Sequence, residues 1–283
     1  MISSTFEAYG KLNLTLDVLK KRPDGFHEMK MIMQTVSLCD RITLELDTGK
    51  PWQCTCSESA VPTGEGNLAY RAAKLFYEKT EREDKGLSIH IEKHIPMQAG
   101  MAGGSADAAA VLHGLNTCCG YPLTFDELTA LGEKLGADVP YCLLGGTALA
   151  EGKGEKLTSL PFMPECTYLL IKPEFSVSTA ELFSELDHEN NVIHPDTDSA
   201  ICALCDGDLP ALARLCANSF QPLLEKSHPE IRAICEKLLS SGALGASLTG
   251  TGSVVFGIFG ERESAKKCQA AFSAYQTFLA ENV

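Results

Sequence analysis

Residues 87–112, LSIHIEKHIPMQAGMAGGSADAAAVL, constrain the fold more than any other stretch of the chain. The first part alternates apolar and polar residues and reads as a strand; the last part is an alanine-rich run that reads as a helix through Ala106 to Leu112. Between them Gly100, Gly103 and Gly104 make a tight connection in which no Cβ stands between the backbone and a ligand. A strand led through glycines onto a helix N-terminus suits a phosphate group, because unpaired N–H groups and the positive end of the helix dipole gather there. The lysine of a P-loop is missing, and no GxGxxG lies between strand and helix. The other reading is a plain strand-to-helix turn capped by Ser105, and these residues alone leave both open.

The remaining pattern is that of a mixed chain. AYGKLNLTLDV sets Leu12, Leu14, Leu16 and Val18 against Lys11, Asn13, Thr15 and Asp17, which predicts a half-buried strand. Pro23-Asp24-Gly25 predicts a turn, and MKMIMQTVSLCDRITLEL one or two further strands. Asn67 is placed to cap a helix through LAYRAAKLFYEK, while Thr124 and Glu127 form a capping box ahead of a helix stopped at Gly136. After about residue 158 the pattern restarts with a strand at CTYLLIKP. Helices follow around STAELFSEL, SAICALCDGDLPALARL and HPEIRAICEKLLSSG, then a strand at SVVFGIF and a closing helix over ESAKKCQAAFSAYQTFLAEN. Two α+β domains are expected, 1–158 and 159–283.

Composition removes several classes of function. A formal net charge of −13, with no basic block beyond KKR at 20–22, argues against nucleic acid and anionic membrane as partners. No run approaches the roughly 20 apolar residues of a bilayer span, and MISSTFEAYGKLNL lacks a basic start followed by an apolar block, so a soluble cytoplasmic protein is expected. Twelve cysteines without an export signal read as reduced thiols. Cys202 and Cys205 form a lone CxxC that reads as two helix residues, and no structural metal is assigned.

Two charged residues invite a chemical reading. Asp138, in GADVP, is either the N-cap of VPYCLL or a carboxylate that accepts or orients a hydroxyl proton beside a phosphate site. Lys11 is either solvated or the neutraliser of an anionic ligand. The loop SLTGTGSVVFGIF, with Gly250 and Gly252, is a weak signal by itself, and CLLGGTALAEGKGE is weaker.

Together, GKLNL, the P-x-x-x-G-x-x-G-G-S loop, GADVP and LTGTGS occur in the order that resembles the GHMP kinases, the group of galactokinase, homoserine kinase, mevalonate kinase and phosphomevalonate kinase. The resemblance runs from Ala8 to about Gly260. RPDGFHEM and GADVPYCLLGGTALAEGKGE resemble, within that family, the branch whose substrate carries a cytidine diphosphate. It implies a two-domain α+β GHMP kinase fold, with an N-terminal ATP-binding α+β domain, a C-terminal ferredoxin-like domain and an active site in the cleft between them. It also implies phosphorylation of an alcohol by ATP with Mg²⁺. Pro96, Met97, Gln98, Ala99, Gly100, Met101, Ala102, Gly103, Gly104, Ser105 and Ala106 would then cradle the triphosphate, with Asn67 and Lys93 at the adenine end. Asp138 would be the base and Lys11 its charged partner. Asn13 would hydrogen-bond the substrate, Phe26, His27, Thr179 and Phe183 would receive the cytosine, and Gly250 and Gly252 would lie along the substrate.

This chain departs from the family pattern at three positions: Gly10 for Ala, Phe26 for Tyr, and Ala106 for a serine, which leaves no assigned protein ligand for Mg²⁺. Another small-alcohol kinase of the family, of the mevalonate or homoserine type, is the runner-up. A catalytically inactive metabolite sensor is the reading from a different class, and a zinc or thiol protein resting on Cys202 and Cys205 is the weakest. The sequence does not fix an oligomeric state.

Overall fold

The computed structural model describes residues 2–189 and 191–283. Two strands of 20 residues each, β1 (Ile2–Lys21) and β2 (His27–Leu46), open the chain, joined by the expected turn, in which Gly25 N–H donates to the Arg22 carbonyl (3.1 Å). There follow β3 (Gln53–Cys56), α1 (Leu68–Thr80), β4 (Leu87–Glu92), α2 (Gly103–Cys118), α3 (Phe125–Glu133) and α4 (Val139–Leu144). The second half holds β5 (Thr147–Gly152), β6 (Lys156–Ser159), β7 (Thr167–Lys172), α5 (Thr179–Leu186), α6 (Thr197–Cys205), α7 (Leu209–Leu215) and β8 (Ala217–Asn218). It closes with α8 (Gln221–Ser227), α9 (Glu230–Ser240), β9 (Gly245–Leu248), β10 (Val255–Phe259), α10 (Arg262–Gln269) and β11 (Gln276–Glu281). No helix among the described residues is long and apolar enough to cross a membrane.

The chain forms two compact units that interleave along the sequence. The first comprises residues 1–10, 39–95 and 102–145, the second residues 11–38, 96–101 and 146–283. In the first, β4 runs antiparallel to the second half of β2 (Ile42 opposite Ile91, Leu44 opposite Ile89) and parallel to β3. Ile42, Leu44, Ile89 and Ile91 supply the strand side of its core; Ala69, Ala73 and Phe76 of α1 and Ala108, Val111 and Leu115 of α2 supply the helical side. The alanines bring α2 close to its neighbours, and Gly114 continues that face: a Cβ there would lie 2.7 Å from the Phe6 ring. Asn67 caps α1 as expected, accepting from Ala69 N–H (2.8 Å), and Thr124 and Glu127 form the capping box of α3.

In the second unit, β5 pairs antiparallel with the first half of β2 and β8 parallel with β1 at Thr15 and Leu16. A separate antiparallel sheet has the order β11-β7-β10-β9. Helices lie between β7 and β9 and between β10 and β11, so in chain order the strands stand 4-1-3-2, the split β-α-β arrangement of a ferredoxin-like fold.

Two expectations are corrected. The polar face of β1 is not wet: Lys11 is 4% exposed, Asn13 1%, Thr15 0% and Asp17 4%. Alternation reports which face each residue takes, not whether water reaches it, and here the polar side chains are satisfied internally. Thr15 Oγ1 accepts from Ile32 N–H (3.1 Å), and Asp17 pairs with His194 Nδ1 (2.7 Å) and Ser219 Oγ (3.3 Å). The expected closing helix ends at Gln269, and residues 276–281 form β11, paired along its whole length with β7. A partner strand more than 100 residues away in sequence overrides local helical spacing. Cys202 and Cys205 are exposed helix residues of α6, as read.

Candidate active site

Gln98 (φ 50°), Gly100 (73°) and Ala102 (58°) all take the left-handed conformation and wind the loop after β4 tightly into α2. The helix starts earlier than expected, at Gly103, so Ser105 lies inside its first turn and does not cap it. The N-cap position is Ala102, which has no side-chain acceptor to offer. The first helical bond runs from Ala106 N–H to the Ala102 carbonyl (2.9 Å), and the amides of Gly103, Gly104 and Ser105 precede it. Opening amides without a side-chain cap, at the positive end of a helix, are able to receive an anion.

Within the second unit the first half of this loop is packed backbone against backbone. Thr249 Oγ1 donates to the Gly100 carbonyl (3.3 Å) and Val254 N–H to the Ala99 carbonyl (3.3 Å). A Cβ on Gly100 would stand 2.1 Å from the Thr249 carbonyl oxygen, and one on Gly250 2.8 Å from the Gly100 carbonyl oxygen. These glycines are close-approach positions, and Asn218 Nδ2 steadies the 248–250 segment by donating to the Leu248 (2.9 Å) and Gly250 (2.8 Å) carbonyls. The same segment reaches β1: Asn13 N–H donates to Thr249 Oγ1 (3.0 Å), and Lys11 N–H to the Met101 carbonyl (3.1 Å). Lys11 Nζ donates to Asn13 Oδ1 (2.5 Å), so the two polar residues expected to act on substrate sit together in a buried setting. Thr249 was invisible as a site residue in the sequence; its only signal was its place inside TGTG.

Also in the second unit, His27 stacks on Phe183 with ring centroids 4.7 Å apart and planes at 24°, and Phe220 meets Phe183 edge-on. His27 Nε2 contacts Asp187 Oδ1 (2.7 Å), whose carboxyl is held below the usual range first by its bond to Lys21 and then by His27. Phe26 is 58% exposed, with Lys153 Nζ 4.7 Å from its ring centroid. Thr179 Oγ1 lies 3.1 Å from Thr251 Oγ1, between Gly250 and Gly252. Asp187 and Thr251 were not singled out in the sequence, since neither stands beside its partner in the chain.

In the first unit, Asp138 occupies the N-cap position of α4 but its side chain makes no capping bond. Asn67 is engaged on both ends, with Nδ2 donating to the Pro62 carbonyl (2.8 Å). The Lys93 ammonium is buried between Asp40 and Asp107, and its main-chain N–H donates to Ser57 Oγ (2.9 Å). Among the described residues no group of three His, Cys, Asp or Glu is arranged to hold a metal ion.

A glycine loop feeding an uncapped helix, a lysine and asparagine buried side by side, and a split β-α-β sheet define a class of small-molecule kinases. The chain belongs to the GHMP kinases: residues 67–146 match their N-terminal domain and residues 200–276 their C-terminal domain. More particularly, it is 44% identical to the 4-diphosphocytidyl-2-C-methyl-D-erythritol kinase of Lachnoclostridium phytofermentans over 97% of this chain and 96% of that one. It is 41% identical to the kinase of the same name from Clostridium tetani, over 93% of each chain. Among solved structures, a 4-(cytidine 5'-diphospho)-2C-methyl-D-erythritol kinase superposes with a TM-score of 0.83 at 30% identity, covering 99% of both chains. A homoserine kinase from Cytophaga hutchinsonii shares the fold at a TM-score of 0.80 and 18% identity, covering 99% of this chain and 94% of that one.

Proposed function

We propose that the protein transfers the γ-phosphoryl group of ATP to the 2-hydroxyl of 4-diphosphocytidyl-2-C-methyl-D-erythritol, a step of the non-mevalonate route to isoprenoid precursors. The observation that carries this choice of substrate is the 44% identity sustained over 97% of the chain with an enzyme of that name. The aromatic group of His27 and Phe183, with Phe26 exposed beside it in sequence, supports it, because a cytosine ring is bound by stacking surfaces that a mevalonate or homoserine would not use.

In this reading the amides of Gly103, Gly104 and Ser105, at the positive end of α2, hold phosphate oxygens, and the glycine loop from Pro96 onward closes around the chain of phosphates. The substrate oxygen forms a bond to the γ-phosphorus as the bond from that phosphorus to the β,γ-bridging oxygen breaks. ADP leaves with the electron pair, and the hydroxyl proton passes to Asp138, at the N-cap position of α4. Lys11 offsets developing negative charge, and Asn13, held by Lys11 and Thr249, orients the substrate. Mg²⁺ would neutralise the phosphates, but the described side chains form no cage for it and Ala106 offers no ligand, so it would enter with the nucleotide and its own waters.

The test is ADP release from ATP and Mg²⁺ with the diphosphocytidyl substrate, mevalonate or homoserine, for wild type and Asp138→Asn. The expected result is turnover with the first alcohol alone, reduced about 10²- to 10⁴-fold in the variant while ATP still binds. Turnover with another alcohol would discard the cytosine site, and ATP binding without any turnover would point to a sensor.

A further inference from the structure

Asp40, Lys93 and Asp107 lie on β2, on the stem just after β4 and on α2, and they meet inside the first unit. Lys93 Nζ donates to Asp40 Oδ2 and to Asp107 Oδ2 (3.0 Å). The other oxygen of Asp40 accepts from the amides of His94 (2.5 Å) and Ile95 (2.8 Å), the two residues that enter the glycine loop. The other oxygen of Asp107 is buried and has no hydrogen-bond partner. Side-chain exposures are 0% for Asp40 and 5% for Lys93 and Asp107, so two carboxylates share one ammonium out of water. One of the two is overburdened with charge, and it is Asp107, since both Asp40 oxygens are satisfied.

We propose that Asp107 carries an exchangeable proton and that phosphate binding at the first turn of α2 draws this proton in, making Asp107 a positioning residue whose charge state sets nucleotide affinity. The inference rests on the phosphate site proposed above. Asp107 stands four residues after Gly103, where it and an incoming phosphate compete for the same helix dipole and repel each other. A proton on Asp107 removes the repulsion, while Lys93 keeps its bonds to both carboxyl groups and the loop stem stays in place.

The titratable groups facing Asp107 are Lys93, Asp40 and, from β3, the thiols of Cys54 and Cys56. Burial pushes both thiols up, Cys54 to about 11, so they stay neutral and do not compete for the proton. Burial likewise lifts the Asp107 carboxyl, to about 7 against the pull of Lys93, which brings its proton exchange toward neutral pH. The sign follows: a bound phosphate raises that carboxyl further, so binding is strongest below its free value and weakens as pH rises through it.

Calorimetry of Mg²⁺-saturated ATP binding, in buffers of differing ionisation enthalpy, reads proton uptake directly. Uptake of about 0.4 proton at pH 7 is expected, with Kd weakening about fivefold between about pH 6 and pH 8, if the bound phosphate raises the proton affinity of a carboxyl that starts near 7 about tenfold. Asp107→Asn should bind without uptake and lose the pH dependence attributable to this carboxyl. Should Asp107→Asn fail to fold, carbon NMR of the Asp107 carboxyl in the wild type reads the same titration and its upward shift on nucleotide binding. Binding without uptake, or with equal uptake in Asp107→Asn, would overturn the inference and leave the kinase reading intact. Failure to bind ATP at any pH would overturn both.

Discussion

Gly100→Ala in the glycine loop and Gly104→Ala in the first turn of α2, four residues on, are expected to fail in opposite ways. At Gly100 the backbone φ is 73°, and a left-handed alanine costs roughly 1–2 kcal/mol relative to glycine. The added Cβ would stand 2.1 Å from the Thr249 carbonyl oxygen, 2.9 Å from its carbon and 3.2 Å from Gly252 N, all of them backbone. No side-chain rotation relieves that contact, so a packed segment must move, at a further cost of about 1–3 kcal/mol. The sum is about 2–5 kcal/mol, a fall in Tm of about 4–20 °C at the usual sensitivity of a chain of this size. At Gly104 the nearest atom to a new Cβ is Leu68 Cδ1 at 3.6 Å, an ordinary contact, and alanine is the better helix former by about 1 kcal/mol. Gly104→Ala should therefore fold at least as well as wild type, yet its methyl group would stand where the proposed site has the first-turn amides meet phosphate, so KM for ATP should rise about tenfold or more. Thermal unfolding paired with ATP kinetics on both variants checks the reasoning. A Gly100→Ala protein with wild-type Tm, or a Gly104→Ala protein with wild-type KM for ATP, would refute the corresponding half.

Phe183→Ala removes the surface on which His27 stacks; KM for the diphosphocytidyl substrate should rise about tenfold or more while KM for ATP moves little, as steady-state kinetics with each substrate varied will show. Alkylation followed by mass spectrometry should label Cys202 and Cys205, which are exposed, within minutes. Cys166, Cys216 and Cys235 should stay unlabelled until the protein is unfolded, because burial pushes their thiols up to about 11, 12 and 12 and leaves almost no reactive thiolate at neutral pH.

Local chemistry was legible in the sequence and long-range pairing was not. Thr124 with Glu127, Asn67 ahead of α1 and the turn at Pro23-Asp24-Gly25 are decided by neighbours within a few residues, and each stands where it was read. Residues 276–281 misled because their strand character comes from β7, whose pairing no local window contains. Lys11 and Asn13 were correctly set on one face of β1, but their burial depends on segments far along the chain, Thr249 among them. At the site, the glycine loop was visible as a loop, whereas the left-handed Ala102 that displaces Ser105 from the cap was not, since nothing in an alanine announces that conformation. The Asp40, Lys93 and Asp107 cluster was hidden for the same reason as β11: its members are 53 and 14 residues apart and meet only after folding.

The interleaving of the two units bears on how the protein is made. The chain changes unit after residues 10, 38, 95, 101 and 145, so neither unit corresponds to one uninterrupted stretch that a ribosome could release and allow to fold alone. Residues 11–38 and 96–101 belong with a segment that begins at 146 and ends at 283; Thr15 finds its strand neighbour at Ala217, and Gly100 its contact at Thr249. The residues proposed to hold phosphate and orient the alcohol therefore emerge early in translation but reach their final geometry only near its end. Nonsense truncation anywhere before about residue 250 should leave a chain without a partly working enzyme, and an active protein rebuilt from two separately expressed fragments would require them to fold together.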